Sequence, residues 1–307
     1  MMQELQFFRL RGGQDEPTLL LTRLQRGGSP VLYIHGATFP AALSVAYRFE
    51  GRSWMDDLAA CGFDVWALDF AGYGGSDRYS EMSGSADGPP LGRATQAASQ
   101  IARAVTHILD QTAKPRISLI AHSWGTTAAG LYASLHPERV ARLCLFGPIA
   151  QRDERTEIDE PRLRWRLLTV AQQHARFIED VPRDHPPVLI EPELDLWGSA
   201  YLGTDEEAAH RDPPAVKIPY GPVVDIADAW SSALPWRPQD IRTPTLIVRG
   251  EWDSVTTDAD AAWLLSRLGH PVRRDAKIAK GTHLMHLEHS RDGLFQAVRE
   301  FLKEETP

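Results

Sequence analysis

Cysteine is almost missing: Cys61 and Cys144 are the only two in 307 residues, and they form no C-x-x-C pair. That excludes a zinc framework and a dithiol redox motif, and a reduced compartment is the simpler setting for so few thiols. A basic excess is missing too, since 33 Lys and Arg stand against 41 Asp and Glu, a formal charge of −8. With no basic stripe, nucleic acid is set aside as a partner. No segment reaches the roughly 18–20 apolar residues that span a bilayer, and MMQELQFFRLRGG carries no apolar run of signal-peptide length. The expectation is a soluble, cytoplasmic protein with no membrane partner. No G-x-G-x-x-G opens a helix after a strand, there is no Walker lysine loop, and no histidine/carboxylate set has metal-ligand spacing. Neither a cofactor nor a metal is expected.

What the chain does contain is an alternation. ELQFFRLR and TLLLTRLQ read as short strands around a turn, and SPVLYIHG, FDVWALDF, RISLIAHS and RVARLCLFGP as further strands. Between them lie helical patterns, including 91–113, where Ile101, Val105, Ile108 and Leu109 share one face. After IRTP the alternation resumes with TLIVRG, DADAAWLLSRLG, VRRDAKIA and LFQAVREFLKE. Residues 149–240 interrupt it with clustered charges, dense proline and few strand signals, and they carry Trp165, Trp197, Trp230 and Trp236. This predicts an α/β fold, a mostly parallel sheet with helices on both faces. The core is 1–148 plus 241–307, and 149–240 is a mainly helical insertion. In such sheets the chemistry lies beyond the carboxyl ends of the strands.

The stretch ISLIAHSWGTTAAG places Ser123 between a strand and a helix, with small residues, Ala121 and Gly125, two positions to either side. That is the pattern of a nucleophile elbow with alanine in place of its first glycine; the other reading is a serine capping the helix. A serine nucleophile needs a base and an orienting carboxylate. For the base, His283, His286 and His289 compete, and His283 is nearest a strand end. For the acid, Asp253 follows TLIVRG with Glu251 beside it, while Asp153 and Glu154 are more distant candidates. His122 precedes the serine, so its side chain is expected to point the other way and bond a neighbouring loop. Backbone N–H groups of Trp124 and Ala37 are the expected oxyanion donors. His35, Phe39, Trp124, Trp165, Trp197 and Trp230 are expected to wall a substrate pocket.

With HGAT, DFAGYGGSD, AHSWG, RGEWD and GTHLMHLE in hand, the chain resembles the α/β-hydrolase fold superfamily over nearly its whole length. The order Ser123, Asp253, His283 is that of the superfamily. The resemblance implies that 149–240 is a cap or lid over the active site. It also implies that the base is His283, since relatives follow their catalytic histidine five residues later with a glutamate, here Glu288. Serine at position 123 sets the chain apart from the branches that use aspartate there. The S-W-G triplet and LHPERV resemble prolyl aminopeptidases, from which His122 departs. The expected partner is a small-molecule ester or lactone, bulky and apolar to suit the aromatic 37–54 loop. The alternatives are an aminopeptidase, drawing on cap acids such as Glu154, Glu157, Asp159, Glu160, Glu191 and Glu193, an acyltransferase with the same triad, or a non-catalytic binding protein.

Overall fold

The computed structural model describes residues 4–13, 16–154, 163–191 and 193–304. In chain order the elements are β1 (Gln6–Leu10), β2 (Leu19–Leu24), β3 (Pro30–Ile34), α1 (Trp54–Ala60), β4 (Asp64–Asp69), α2 (Ala94–Thr112), β5 (Ile117–His122), α3 (Gly125–Leu135) and β6 (Val140–Phe146). The insertion supplies β7 (Trp165–Thr169), α4 (Val170–Ile178), α5 (Glu193–Leu202), β8 (Ala215–Pro219) and α6 (Gly221–Trp230). The chain then closes with β9 (Thr245–Gly250), α7 (Asp258–Arg267), β10 (Arg273–Ile278) and α8 (Arg291–Lys303).

Eight strands form one sheet in the order β1-β2-β4-β3-β5-β6-β9-β10. From β4 to β10 every pairing is parallel, while β1–β2 and β2–β4 are antiparallel. β3, β4 and β5 are buried along their whole length, as central strands covered by helices on both faces must be. On α2, Ile101, Val105 and Ile108 are buried and Leu109 is half-buried, so the predicted helical face is the packed one. Among the described residues no helix is long and apolar enough to cross a membrane.

The insertion is mainly helical, with α4, α5 and α6, and it also contains a short sheet that the sequence does not announce. β7 and β8 pair antiparallel into a two-stranded sheet of their own. β7 is largely half-buried, with no sustained apolar alternation to announce it. The aromatics of the 37–54 loop join this insertion to the core: Phe39 meets Phe177 at 5.9 Å and Trp197 at 5.3 Å, both edge-on, and the Trp197 indole donates to the Leu43 carbonyl at 2.9 Å. Leu43 and Phe49 are core residues. The loop is therefore aromatic because it is the seat of the insertion.

Candidate active site

Ser123 sits in the turn between β5 and α3 with φ +55°, a left-handed conformation that residues other than Gly, Asn and Asp rarely adopt. Its N–H donates to the Phe146 carbonyl at 2.8 Å, and its own carbonyl accepts from the Thr126 N–H (2.9 Å) and hydroxyl (2.6 Å). These bonds hold the strained turn in place. Gly125 is required by crowding: a Cβ there would lie 2.4 Å from the His35 carbonyl oxygen. Ala121 lies fully buried within β5, between Ile34 of β3 and Leu145 of β6, so the alanine of the motif is accommodated as a strand residue.

Two distant loops meet this serine. His283 Nε2 lies 2.8 Å from Ser123 Oγ, and His283 Nδ1 lies 3.0 and 3.1 Å from the two Asp253 oxygens. A carboxylate only accepts, so Nδ1 carries the proton and Nε2 is free to accept from the serine hydroxyl. Asp253 is fixed in turn by the Val255 and Thr256 N–H groups, at 2.9 and 2.8 Å. All three side chains are buried. Glu288 is fully buried and accepts from the Thr282 hydroxyl, the Thr282 N–H at 3.3 Å and the Ser290 hydroxyl at 3.0 Å, which pins the turn carrying His283. Burial raises the Glu288 pKa, and those hydrogen bonds oppose it.

The competing candidates lie elsewhere. Glu251 closes a turn by accepting from the Lys280 N–H at 2.9 Å, and Asp153 bonds Ser232 at 3.2 Å. Glu154 lies 3.7 Å from Arg152. His286 is buried with neither ring nitrogen bonded among the described residues, and burial, with the nearby His283, drops its pKa to about 3. His289 is exposed. His122 Nε2 donates to the His283 carbonyl at 3.0 Å, the loop contact expected of it. Its ring nevertheless lines the same cavity as Ser123, with Nδ1 unbonded among the described residues. Burial first, then His286 and His283, hold its pKa well below the usual histidine value.

The N–H groups of Ala37 and Trp124 make no hydrogen bond among the described residues, and both residues flank Ser123, Ala37 across the β3 loop and Trp124 next in chain. The cavity over Ser123 is small, ≈ 10 Å³, about the space of one water. Besides Ser123 and His283 it is lined by Gly36, Ala37, Thr38, Phe39, His122, Arg176 and Leu284. A larger open groove, lined by Glu16, Asp77, Tyr79 and Arg103 among others, holds none of these groups.

Of the expected pocket wall, only Phe39 is there. His35 is fully buried under the turn, accepting from the Phe70 N–H at 3.1 Å and packing edge-on against Phe70 and Tyr73. The Trp124 indole turns away and donates to Asp225 of α6 at 2.9 Å. Trp197 packs among Phe39, Phe177 and Tyr201, while Trp165 faces Lys217 and Trp230 faces Arg152. The tryptophans thus stabilise the insertion, and among the described residues its contribution to the cavity is Arg176. Of the acids expected to bind an ammonium group, Glu157, Asp159 and Glu160 lie outside the described residues, and no carboxylate lines the cavity among the described ones.

Two residues that matter here escaped the sequence reading. Gly147, at the end of β6 with φ +55°, has no room for a side chain: a Cβ would lie 2.8 Å from His283 Cε1 and 2.9 Å from Nδ1. A glycine closing a buried strand was the available signal. Arg176 gave none, because one arginine in a polar helix reads as surface.

Residues 24–190 match a family model described as alpha/beta hydrolase fold. No curated protein matches the chain. Solved structures similar to it include a thioesterase domain from the curacin biosynthetic pathway, 16% identical with a TM-score of 0.65, covering 96% of this chain and 99% of that one. A 2-hydroxy-6-oxo-6-phenylhexa-2,4-dienoate hydrolase from Rhodococcus sp. strain RHA1 is 16% identical with a TM-score of 0.66, covering 99% and 100%. A carboxylesterase structure from Nitrososphaera gargenis is 12% identical with a TM-score of 0.66, covering 97% of each chain. At these identities the likeness is one of fold.

Proposed function

From a chain that belongs to the alpha/beta hydrolase fold family, we propose a serine hydrolase that cleaves a carboxylic ester or lactone through an acyl-enzyme. The observation that carries this reading is the unbroken relay from Ser123 Oγ to His283, at 2.8 Å, and from His283 to Asp253, at 3.0 Å. Ser123 Oγ bonds to the substrate carbonyl carbon while its proton passes to His283 Nε2. Asp253 holds the ring and stabilises its charged form. The N–H groups of Ala37 and Trp124 bind the oxyanion, each such donor being worth roughly 3–4 kcal/mol. Collapse breaks the ester C–O bond, and the leaving alkoxide takes the proton from His283. Water then attacks the acyl-enzyme, giving its proton to His283, and the acid departs as Ser123 recovers its hydrogen.

The cavity over Ser123, at ≈ 10 Å³, has room for about one water, far below the roughly 300–1,000 Å³ of most ligand pockets. We therefore propose that residues 149–240 act as a lid that shifts to admit substrate, most directly by moving α4 off the 37–39 loop. The lining mixes Phe39 and Leu284 with Thr38, His122 and Arg176, which argues for a substrate with a polar group rather than the wholly apolar one expected from the 37–54 loop. The absence of a lining carboxylate among the described residues disfavours the aminopeptidase alternative, which must hold a substrate ammonium group. The test is hydrolysis of 4-nitrophenyl butyrate by wild type and a folded Ser123→Ala variant. The proposal expects a loss of at least about 10³-fold in kcat; equal rates overturn it.

A further inference from the structure

Arg176 is the one cationic side chain lining the space over the nucleophile among the described residues. Its position follows from α4. Thr169 caps the helix, its hydroxyl accepting from the Gln172 N–H at 3.1 Å, and Gln173, Arg176 and Phe177 fall on one face at i, i+3 and i+4. Phe177 is fully buried and anchors the helix, and Gln173 donates to the Thr38 carbonyl at 3.1 Å. Arg176 then bonds the Thr38 hydroxyl at 3.0 Å and the Gln173 side-chain oxygen at 3.2 Å. Both acceptors are neutral, and no carboxylate pairs with Arg176 among the described residues. Glu179 lies close enough to attract it without forming an ion pair.

A second arginine adds to the imbalance. Arg166, on β7, lies near enough to Arg176 to repel its charge, and its buried Nε has no partner among the described residues. Arg166 lies outside the cavity lining and is half-buried, so it adds to the positive field there, while a buried guanidinium bonded only to neutral groups, as Arg176 is among the described residues, carries a desolvation cost. An anion entering the cavity relieves that cost, and a guanidinium fits a carboxylate in bidentate geometry.

We propose that the substrate carries a carboxylate in addition to its scissile carbonyl, and that Arg176 binds this carboxylate beside Ser123 with Arg166 reinforcing the positive field. This rests on the serine-hydrolase reading and narrows it from esters in general to acid-bearing esters and lactones. Arg176 then acts by discriminating substrates, while bond cleavage stays with Ser123 and His283.

The experiment has two arms. In the first, kcat/KM is measured for the mono-4-nitrophenyl ester of adipic acid and for 4-nitrophenyl heptanoate, which puts an ethyl group where the adipate ester has its carboxylate. Wild type favours the adipate ester, and in Arg176→Met the ratio of the two values falls by at least about tenfold, mainly through KM. Arg176→Lys restores part of the ratio, and Arg166→Met lowers it less. An unchanged ratio in folded Arg176→Met overturns the proposal. In the second arm, hexanoate and hexanol are titrated by calorimetry into Ser123→Ala and into Ser123→Ala/Arg176→Met, which needs no turnover. Hexanoate binding that is lost with Arg176 supports the proposal even if neither ester is cleaved; equal affinity in the two proteins overturns it. Failure of the serine-hydrolase reading shows separately, as ester cleavage that survives Ser123→Ala.

Discussion

Replacing Gly147 by alanine adds one carbon at the point where β6 passes behind the histidine. That carbon would stand 2.8 Å from His283 Cε1, 2.9 Å from Nδ1 and 3.4 Å from Asp253 Oδ2. Restoring the nearest contact to an ordinary 3.4 Å needs a shift of about 0.6 Å, and the neighbour that can give is the imidazole ring. A catalytic group misplaced by 1 Å costs about 10²-fold, so kcat for 4-nitrophenyl butyrate falls by roughly 10- to 100-fold. The stability cost is smaller. Holding alanine at φ +55° costs roughly 1–2 kcal/mol, offset by about 0.4–1 kcal/mol from a less disordered unfolded chain. The net is on the order of 1 kcal/mol, a drop of about 2–4 °C in Tm. Steady-state kinetics and a circular-dichroism melt on the same preparation separate the two effects. A folded variant whose kcat stays within threefold of wild type refutes the claim that His283 works from this position.

Two further perturbations follow from the same geometry. Asp253→Asn keeps an oxygen for the Val255 and Thr256 N–H groups but presents an amide to His283 Nδ1, which favours the wrong tautomer; kcat falls by about 10³- to 10⁴-fold with little change in Tm. His286 is buried and neutral with its pKa lowered to about 3, so below the ordinary histidine value of 6.5 the unfolded chain binds a proton that the folded chain refuses. Its contribution to stability is therefore present above pH 6.5 and is lost as pH falls toward 3, at up to roughly 1.4 kcal/mol per pH unit. Asp69, whose pKa burial raises to about 6, works in the opposite direction, so the comparison that isolates the histidine is urea unfolding of wild type against His286→Leu from pH 7 to 4.5. The variant is expected to show a shallower loss; parallel curves contradict a neutral buried His286.

The sheet was legible because its strands are short apolar runs and its helices have one apolar face, signals set by burial itself. The grouping of the candidate site was legible where chain order constrains it: Ser123, Asp253 and His283 each follow a strand, and a parallel sheet brings strand ends to one edge. The insertion was less legible. β7 is half-buried without a regular alternation, so it shows no strand period, and Trp165, Trp197 and Trp230 are large enough to serve either packing or binding, with packing chosen by partners more than 30 residues away. Arg176 acquires meaning only when Phe177 and Gln173 fix α4 against Thr38, a tertiary contact between segments 135 residues apart. Gly147 is the inverse case, a residue whose role is the space it leaves for side chains from two other loops.

If Ser123 is the nucleophile, a reagent that bonds covalently to activated serines captures it. Wild-type protein is incubated with a fluorophosphonate ester, which phosphonylates an activated serine with loss of fluoride, and the adduct is located by mass spectrometry of the digested chain. One adduct per chain is expected, on Ser123, slowed by at least about 10²-fold in His283→Ala and abolished in Ser123→Ala. An adduct on another residue, or labelling of Ser123 that is indifferent to His283, contradicts the assignment of Ser123 as nucleophile.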